Sequence, residues 1–244
     1  ARGAINTAAD VIRVKRRLIE LGFDWLSENY IVEPAAISAI RLFQAIINGH
    51  QRVVGTGVDG VIDIDGITHR WLQAQNAPRW QLLPTGSATA GFINDERLDK
   101  SDKHDYGTDW LADTIVAAGS LYLESFLSIQ KLAALLTIND ASFPQGGDTP
   151  DHQGHETGLA CDLRLPHHNG NTGGISYRSR SYDQQATRAM LIAIACQPLV
   201  SRILFNDPIL VAKGWCRQAR GHNNHIHVEI MPPDLEFTEV IPDS

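Results

Sequence analysis

Three histidines lie close together near the C-terminus, in the segment Gly221-His222-Asn223-Asn224-His225-Ile226-His227-Val228-Glu229-Ile230. Well upstream runs Asp151-His152-Gln153-Gly154-His155-Glu156-Thr157-Gly158-Leu159-Ala160-Cys161-Asp162. Neutral imidazoles and a carboxylate form a donor set suited to catalytic zinc, which takes three protein ligands and leaves a fourth position for water. Side chains on a strand alternate faces, so His225 and His227 would point to the same side. Such a pair offers one ligand and one group poised beside the ion. His155 and Asp162 are seven positions apart with Gly158 between them, and a loop feeding a strand would bring both to one ion. A lone His-x-His is weak evidence; joined to an upstream His-x-x-Gly-x-x-x-Asp in the same domain it is much stronger. The zincin helix motif is a different arrangement and is not present. Glu156 follows His155, but position 159 is Leu rather than a second His.

The elements that must position these residues follow from periodicity. Leu111, Ile115, Ala118, Leu121 and Tyr122 have helical spacing and predict a helix over 109–131. Leu135–Ile138 reads as a strand, followed by a Gly/Pro/Asp-rich loop over 144–154 and a strand over Leu159–Leu165. A helix begins at Asp183, with Ala186, Met190, Ala193 and Ile194 along one face and Pro198 after its end. Val200–Phe205 and His225–Ile230 read as strands. Helix followed by strands, without regular βαβ alternation, predicts an α+β fold with a mainly antiparallel sheet flanked by helices.

The N-terminal part has its own pattern. Val11, Val14, Leu18 and Leu21 predict a helix ending at Gly22, and Pro34 suits the first turn of a second helix running to Ile47. Asp59-Gly60 and Asp65-Gly66 read as turns before a short helix over Ile67–Gln75. Prolines, glycines and small residues between Ala77 and Phe92 have linker composition. The expected organisation is a three-helix domain over 1–78, a linker over 79–92 and a second domain over 93–244.

Composition narrows the function classes. The 244 residues are 43% hydrophobic and 20% charged, as in an ordinary globular protein, and no apolar run approaches the roughly 18 residues of a membrane span. The net charge of −7 is uneven: residues 1–90 carry nine Lys/Arg against eight Asp/Glu, the remainder twelve against twenty. An acidic catalytic half argues against a nucleic-acid substrate and is compatible with a neutral or cationic peptide. Cys161, Cys196 and Cys216 have no CxxC spacing and read as free thiols, with a Cys196–Cys216 disulfide as the alternative outside the cytosol. His50, His69 and His104 have no companions and read as structural or exposed. His167 and His168 read as solvated, and Tyr177 and Tyr182 as ordinary loop packing with a role lining a groove as the alternative.

Two resemblances sharpen this reading. Leu21-Gly22-Phe23, Phe43-Gln44, Val58-Asp59-Gly60 and Trp71-Leu72 occur in the order and spacing of the three-helix peptidoglycan-binding domain of cell-wall hydrolases, which residues 8–76 resemble. Each motif alone is weak; their order carries the resemblance. Gly146-Gly147, His152, His155, Gly158, Asp162, Gly221, His222, His225 and His227 are similar to the pattern of penicillin-insensitive murein endopeptidases, and Ser142 fits it too. That branch belongs to the zinc metallopeptidase superfamily of lysostaphin-type enzymes and D-Ala-D-Ala peptidases, and the likeness covers most of residues 135–231.

Carried over, the resemblance makes His155, Asp162 and His227 the ligands of one catalytic Zn2+. His225, on the ligand face but not itself a ligand, is the candidate general base or oxyanion stabiliser, and His222 its candidate partner in proton transfer; the sequence leaves the division between the two open. His152 is a candidate accessory ligand, a surface histidine being the alternative. Two departures stand out. The branch usually has a second Asp two positions before the ligand Asp, where this chain has Ala160, which bears on an outer contact rather than a ligand. D-Ala-D-Ala dipeptidases carry a Glu base three residues before the last ligand His, where this chain has Asn224, and a histidine takes that role instead.

The function so implied is hydrolysis of peptide cross-links in bacterial peptidoglycan, in the periplasm or cell wall, with the N-terminal domain as anchor. Endolysin, autolysin and effector are all compatible with it. The alternatives are a D-Ala-D-Ala carboxypeptidase or L-Ala–D-Glu endopeptidase of related fold, and a non-catalytic wall-binding protein with structural zinc. A His/Asp/His set would also take manganese, cobalt or copper in vitro. Oligomeric state is not legible.

Overall fold

The computed structural model describes residues 6–97, 103–130, 132–149 and 154–236. His152 therefore lies outside the described residues, as does Lys131 at the end of the expected 109–131 helix. The N-terminal part contains α1 (Ala8–Glu20), α2 (Pro34–Ile47) and α3 (Ile67–Gln73). Then follow β1 (Trp80–Leu82), β2 (Gly86–Ser87), β3 (Phe92–Asn94), β4 (Tyr106–Thr108) and α4 (Asp109–Ser125). β5 (Leu136–Asp140), β6 (Ala160–Pro166), β7 (Thr172–Gly173), α5 (Gln184–Ala195), β8 (Val200–Leu204), α6 (Pro208–Ala212) and β9 (His225–Ile230) complete the set.

Local chemistry explains the helix ends. Thr7 caps α1 by accepting from the Asp10 amide at 3.2 Å. Asp183 is the N-cap of α5 rather than its first residue, accepting from the Ala186 amide at 2.9 Å. The helix expected over 109–131 is shorter: α4 ends at Ser125, and a turn of 3-10 helix over Leu127–Ile129 follows. Residues exposed beyond that point give no apolar stripe to hold a longer helix against the sheet; Ile129 is 74% exposed.

The sheet runs in the order β2-β3-β5-β6-β9-β8, with β7 paired to β6. Every pairing is antiparallel except β3 with β5. The fold is thus α+β with a mainly antiparallel sheet. On one face, Cys161 and Leu163 of β6 and Val228 of β9 pack against Leu111, Ile115 and Ala118 of α4 and Ile194 of α5. Alternation turns Asp162, His225, His227 and Glu229 to the other face.

Residues 79–92, expected as a linker, are built into the fold. β1 pairs with β4, and Trp80 and Leu83 are buried. Trp80 packs on Phe23, and its indole Nε1–H donates to Pro144 O at 2.8 Å. Composition pointed to a linker because prolines, glycines and small residues mark the segment, but buried large apolar side chains such as Trp80 and Leu83 pin it to the core while much of it stays exposed. The apolar residues of α1–α3 and those of the sheet form one continuous core, with Trp71 of α3 packed on Trp110 of α4. Gly22 shows how tight this seam is: its φ is +92°, and a Cβ there would lie 2.0 Å from Trp80 O. Among the described residues, no helix is long and apolar enough to cross a membrane.

Candidate metal centre

Asp162 and His227 are direct cross-strand neighbours in the β6–β9 register, so pairing alone puts their side chains side by side. His155 reaches them from the loop before β6, and that loop is held on both sides. Ser142 Oγ donates to His155 O and accepts from the Gly158 amide at 2.8 Å. The Thr108 amide and hydroxyl both donate to Gly158 O, at 3.1 and 3.0 Å. Gly158 has a φ of +66°, and a Cβ would lie 2.6 Å from the Trp80 ring and 2.8 Å from Gly107 Cα. Only glycine closes this turn without displacing its neighbours.

From the opposite side the segment after α2 grips the same loop. Glu156 is buried, accepting from the Val53 amide at 2.7 Å and from Arg52 Nε at 2.9 Å. The Glu156 amide donates to Gln51 O, and Thr157 Oγ1 donates to His50 O at 2.8 Å. Glu156, conspicuous in sequence beside His155, is thus a structural anchor.

The three donor atoms converge closely. His227 Nδ1 is 2.8 Å from Asp162 Oδ1, His155 Nε2 is 3.1 Å from His227 Nδ1, and His155 Nε2 is 3.3 Å from Asp162 Oδ1. A tetrahedral zinc ion with bonds of about 2.0–2.1 Å keeps adjacent donors about 3.3 Å apart, so the triangle is close to the face such an ion requires. All three residues are buried, at 1%, 1% and 5% exposure. A buried group of His155, Asp162 and His227 that could hold a metal ion is therefore present.

Electrostatics fit the same picture. Burial works to raise the Asp162 pKa, but the charges and hydrogen bonds of His155 and His227 outweigh it and hold the carboxyl below its usual range. Burial also works against the charged form of His227, yet hydrogen bonds and the charges of Asp162 and Glu229 hold its pKa up at about 9. In the absence of an ion, a proton on His227 supplies the positive charge at the centre.

The other sequence-predicted residues fall into two groups. His225 is beside the cluster: its Nε2 is 3.5 Å from Asp162 Oδ2, and its Nδ1 is 3.0 Å from Asn224 Oδ1. The His222 ring lies against both, tilted to His225 with centroids 4.9 Å apart and edge-on to His227 at 5.6 Å. Partial burial lowers the His222 pKa, which keeps its imidazole neutral at pH 7. The remaining histidines are elsewhere: His104 packs on Phe143 at 4.2 Å and His168 is exposed near Asp183. Tyr182 is a core residue whose hydroxyl donates to Asp207 Oδ2 at 3.0 Å. Cys161, Cys196 and Cys216 are all free, and burial pushes the Cys216 thiol up to about 11.

Sequence reasoning missed Glu229 and Arg202. Glu229 Oε1 is 3.1 Å from His227 Nε2, and Arg202 of β8 donates to both Glu229 oxygens at 2.9 and 2.6 Å. Glu229 was findable, since it stands two residues after His227 on the same strand face; Arg202 was not. Ala160, noted in the sequence as a departure from the resembled pattern, lies directly opposite Glu229. A scan against models of protein families finds no match to this chain, and a search of curated proteins finds none either.

Proposed function

We propose that this chain is a zinc-dependent peptidase that cleaves peptide bonds in bacterial peptidoglycan. The observation that carries the reading is the close triangle of His155, Asp162 and His227 with His225 beside it. Three donors from the protein leave room for exchangeable ligands, which favours catalysis over a closed structural site. A bound zinc ion would lower the pKa of a coordinated water and polarise a scissile carbonyl.

The chain's own residues do the rest. His225 Nδ1–H donates to Asn224 Oδ1, which leaves Nε2, beside Asp162, as the ring nitrogen that accepts a proton. His222 donates from Nδ1 to Arg220 O at 2.9 Å and likewise keeps Nε2 as an acceptor. The ring that takes the proton of the attacking water returns it to the leaving amine, and while charged it stabilises the negative charge developing beside it. Asn224, standing where related dipeptidases have a Glu base, orients His225 instead.

The anchoring role of α1–α3 rests on the sequence resemblance. Of the residues that carry that resemblance, Leu21, Phe23, Phe43, Gln44, Trp71 and Leu72 are buried. They hold the segment together, so wall contacts fall to other residues. The test is incubation of the full chain with isolated peptidoglycan, with and without a chelator, and mass spectrometry of the soluble fragments. Chelator-sensitive release of peptide-cleaved, glycan-intact material is expected, and the fragment masses name the bond. Absence of release in zinc-replete buffer refutes the proposal.

A further inference from the structure

The register of β8 against β9 contains an irregularity at the metal centre. Val200 pairs with Ile230, but the next pairs are Arg202 with Glu229 and Ile203 with Val228. Two residues of β8, Ser201 and Arg202, therefore advance against one of β9, which is a β-bulge. Without it, Ser201 would stand opposite Glu229 and Arg202 opposite Val228. Arg202 would then point into the face that packs on α4 and α5, where a guanidinium has no partner. The bulge turns Arg202 to the metal face and leaves Ile203, 6% exposed, in the core. The Ser201 hydroxyl closes the bulge by donating to Glu229 O at 3.2 Å.

The guanidinium so aimed grips Glu229 as a fork. Arg202 Nε and NH2 donate to Oε2 and Oε1 at 2.9 and 2.6 Å. Glu229 Oε1 also lies 3.1 Å from His227 Nε2, so that nitrogen carries the hydrogen. With Nε2 committed as donor, Nδ1, the atom that faces His155 and Asp162, is the nitrogen that would give up its proton and offer a lone pair to an ion. Ala160 opposite Glu229 contributes only a methyl group on this face, which leaves the space to the carboxylate.

We propose that Glu229 and Arg202 are positioning residues for the metal centre, Glu229 fixing the tautomer and ring orientation of His227 and Arg202, aimed by the bulge at Ser201, fixing Glu229. The inference rests on reading the His155/Asp162/His227 cluster as a metal site, and it extends that site to the strand at the edge of the sheet. A carboxylate that accepts from the outer nitrogen of a ligand histidine raises its basicity as a ligand, and losing such a contact costs about 10–100-fold in metal affinity. Glu229, almost fully buried, belongs at the upper end of that range. Arg202, whose side chain is 46% exposed, acts only through Glu229 and belongs below the lower end.

The experiment is zinc binding by the full-length chain, measured by competition with a chelating indicator, for wild type, Glu229→Ala, Glu229→Gln and Arg202→Ala. Visible absorption of the cobalt-loaded proteins reports the coordination geometry. Expected are one zinc per wild-type chain, an affinity lowered about 10–100-fold in Glu229→Ala with an altered cobalt spectrum, and a smaller loss in Arg202→Ala. Glu229→Gln keeps an amide oxygen for His227 Nε2–H and recovers part of the loss. Glu229→Ala and Arg202→Ala proteins that bind zinc within twofold of wild type, with an unchanged cobalt spectrum, overturn the proposal. Arg202→Ala, at an exposed edge, keeps the test decisive if Glu229→Ala does not fold. A wild-type chain that binds no zinc overturns the metal reading itself, which is a distinguishable result.

Discussion

A metal ion taken up by this centre would compete with a proton for one atom, and the competition can be measured. Without an ion, His227 is held in its charged form up to about pH 9 by Asp162 and Glu229. A metal ion that takes Nδ1 must displace that proton, because the ligand form of histidine is neutral. Between an ordinary histidine pKa of about 6.5 and the folded value, each pH unit should therefore raise the apparent affinity for zinc about tenfold. From pH 7 to pH 8.5 the gain is about thirtyfold, or about 2 kcal/mol. The stability of the metal-free protein runs the other way. A raised histidine pKa stabilises the folded state fully below the unfolded value of about 6.5, and that contribution is lost as pH rises towards 9. The shift corresponds to about 3 kcal/mol. Saturating zinc should remove this part of the pH dependence. Competition titrations against a chelator at half-unit steps of pH, with calorimetry in two buffers of different ionisation enthalpy to count released protons, test the argument directly. An affinity that does not change from pH 7 to 8.5, with no proton released, would refute it.

Four further predictions follow from the geometry around the cluster. His225→Ala should keep its zinc within a few-fold and lose about 10²–10⁴ in peptide hydrolysis, checked by metal analysis beside fragment release. Gly158→Ala should cost about 2–5 kcal/mol, from the left-handed backbone and the clash with Trp80 and Gly107, and denaturant midpoints would show it. Glu156→Leu should cost about 1–3 kcal/mol by leaving the Val53 amide without its acceptor, and hydrogen exchange should rise at residues 50–53 and 154–158 together. Arg52→Ala, which removes a half-exposed guanidinium, should cost under about 1 kcal/mol by the same denaturant measurement.

Much of the centre could be read from local spacing. Alternation along a strand is a property of the backbone, so the common face of His225 and His227 needed no knowledge of the fold. The loop-to-strand step from His155 to Asp162, the helix opened by Asp183 and the strand at His225–Ile230 were legible for the same reason: each is decided within a few residues. The pairing of β3 beside β5 was not, because three residues are too short to show a period. The absorption of 79–92 into the fold was not legible either, since Trp80 and Leu83 find their partners in Phe23 and the Asp105 carbonyl, far away in sequence.

What tertiary structure alone decided is how the pieces face one another. Asp162 meets His227 because β6 and β9 pair in one register, and a slip of one residue would have turned either away. Arg202 reaches Glu229 only because a single extra residue at Ser201 reverses its side of the sheet. The grip of Arg52 and Val53 on Glu156 joins segments about a hundred residues apart. The sequence determined which side chains could serve as donors and which local elements would carry them. Register, bulge and the packing of distant loops depend on the balance of the whole core, and these alone brought the donors to within 3.3 Å of each other.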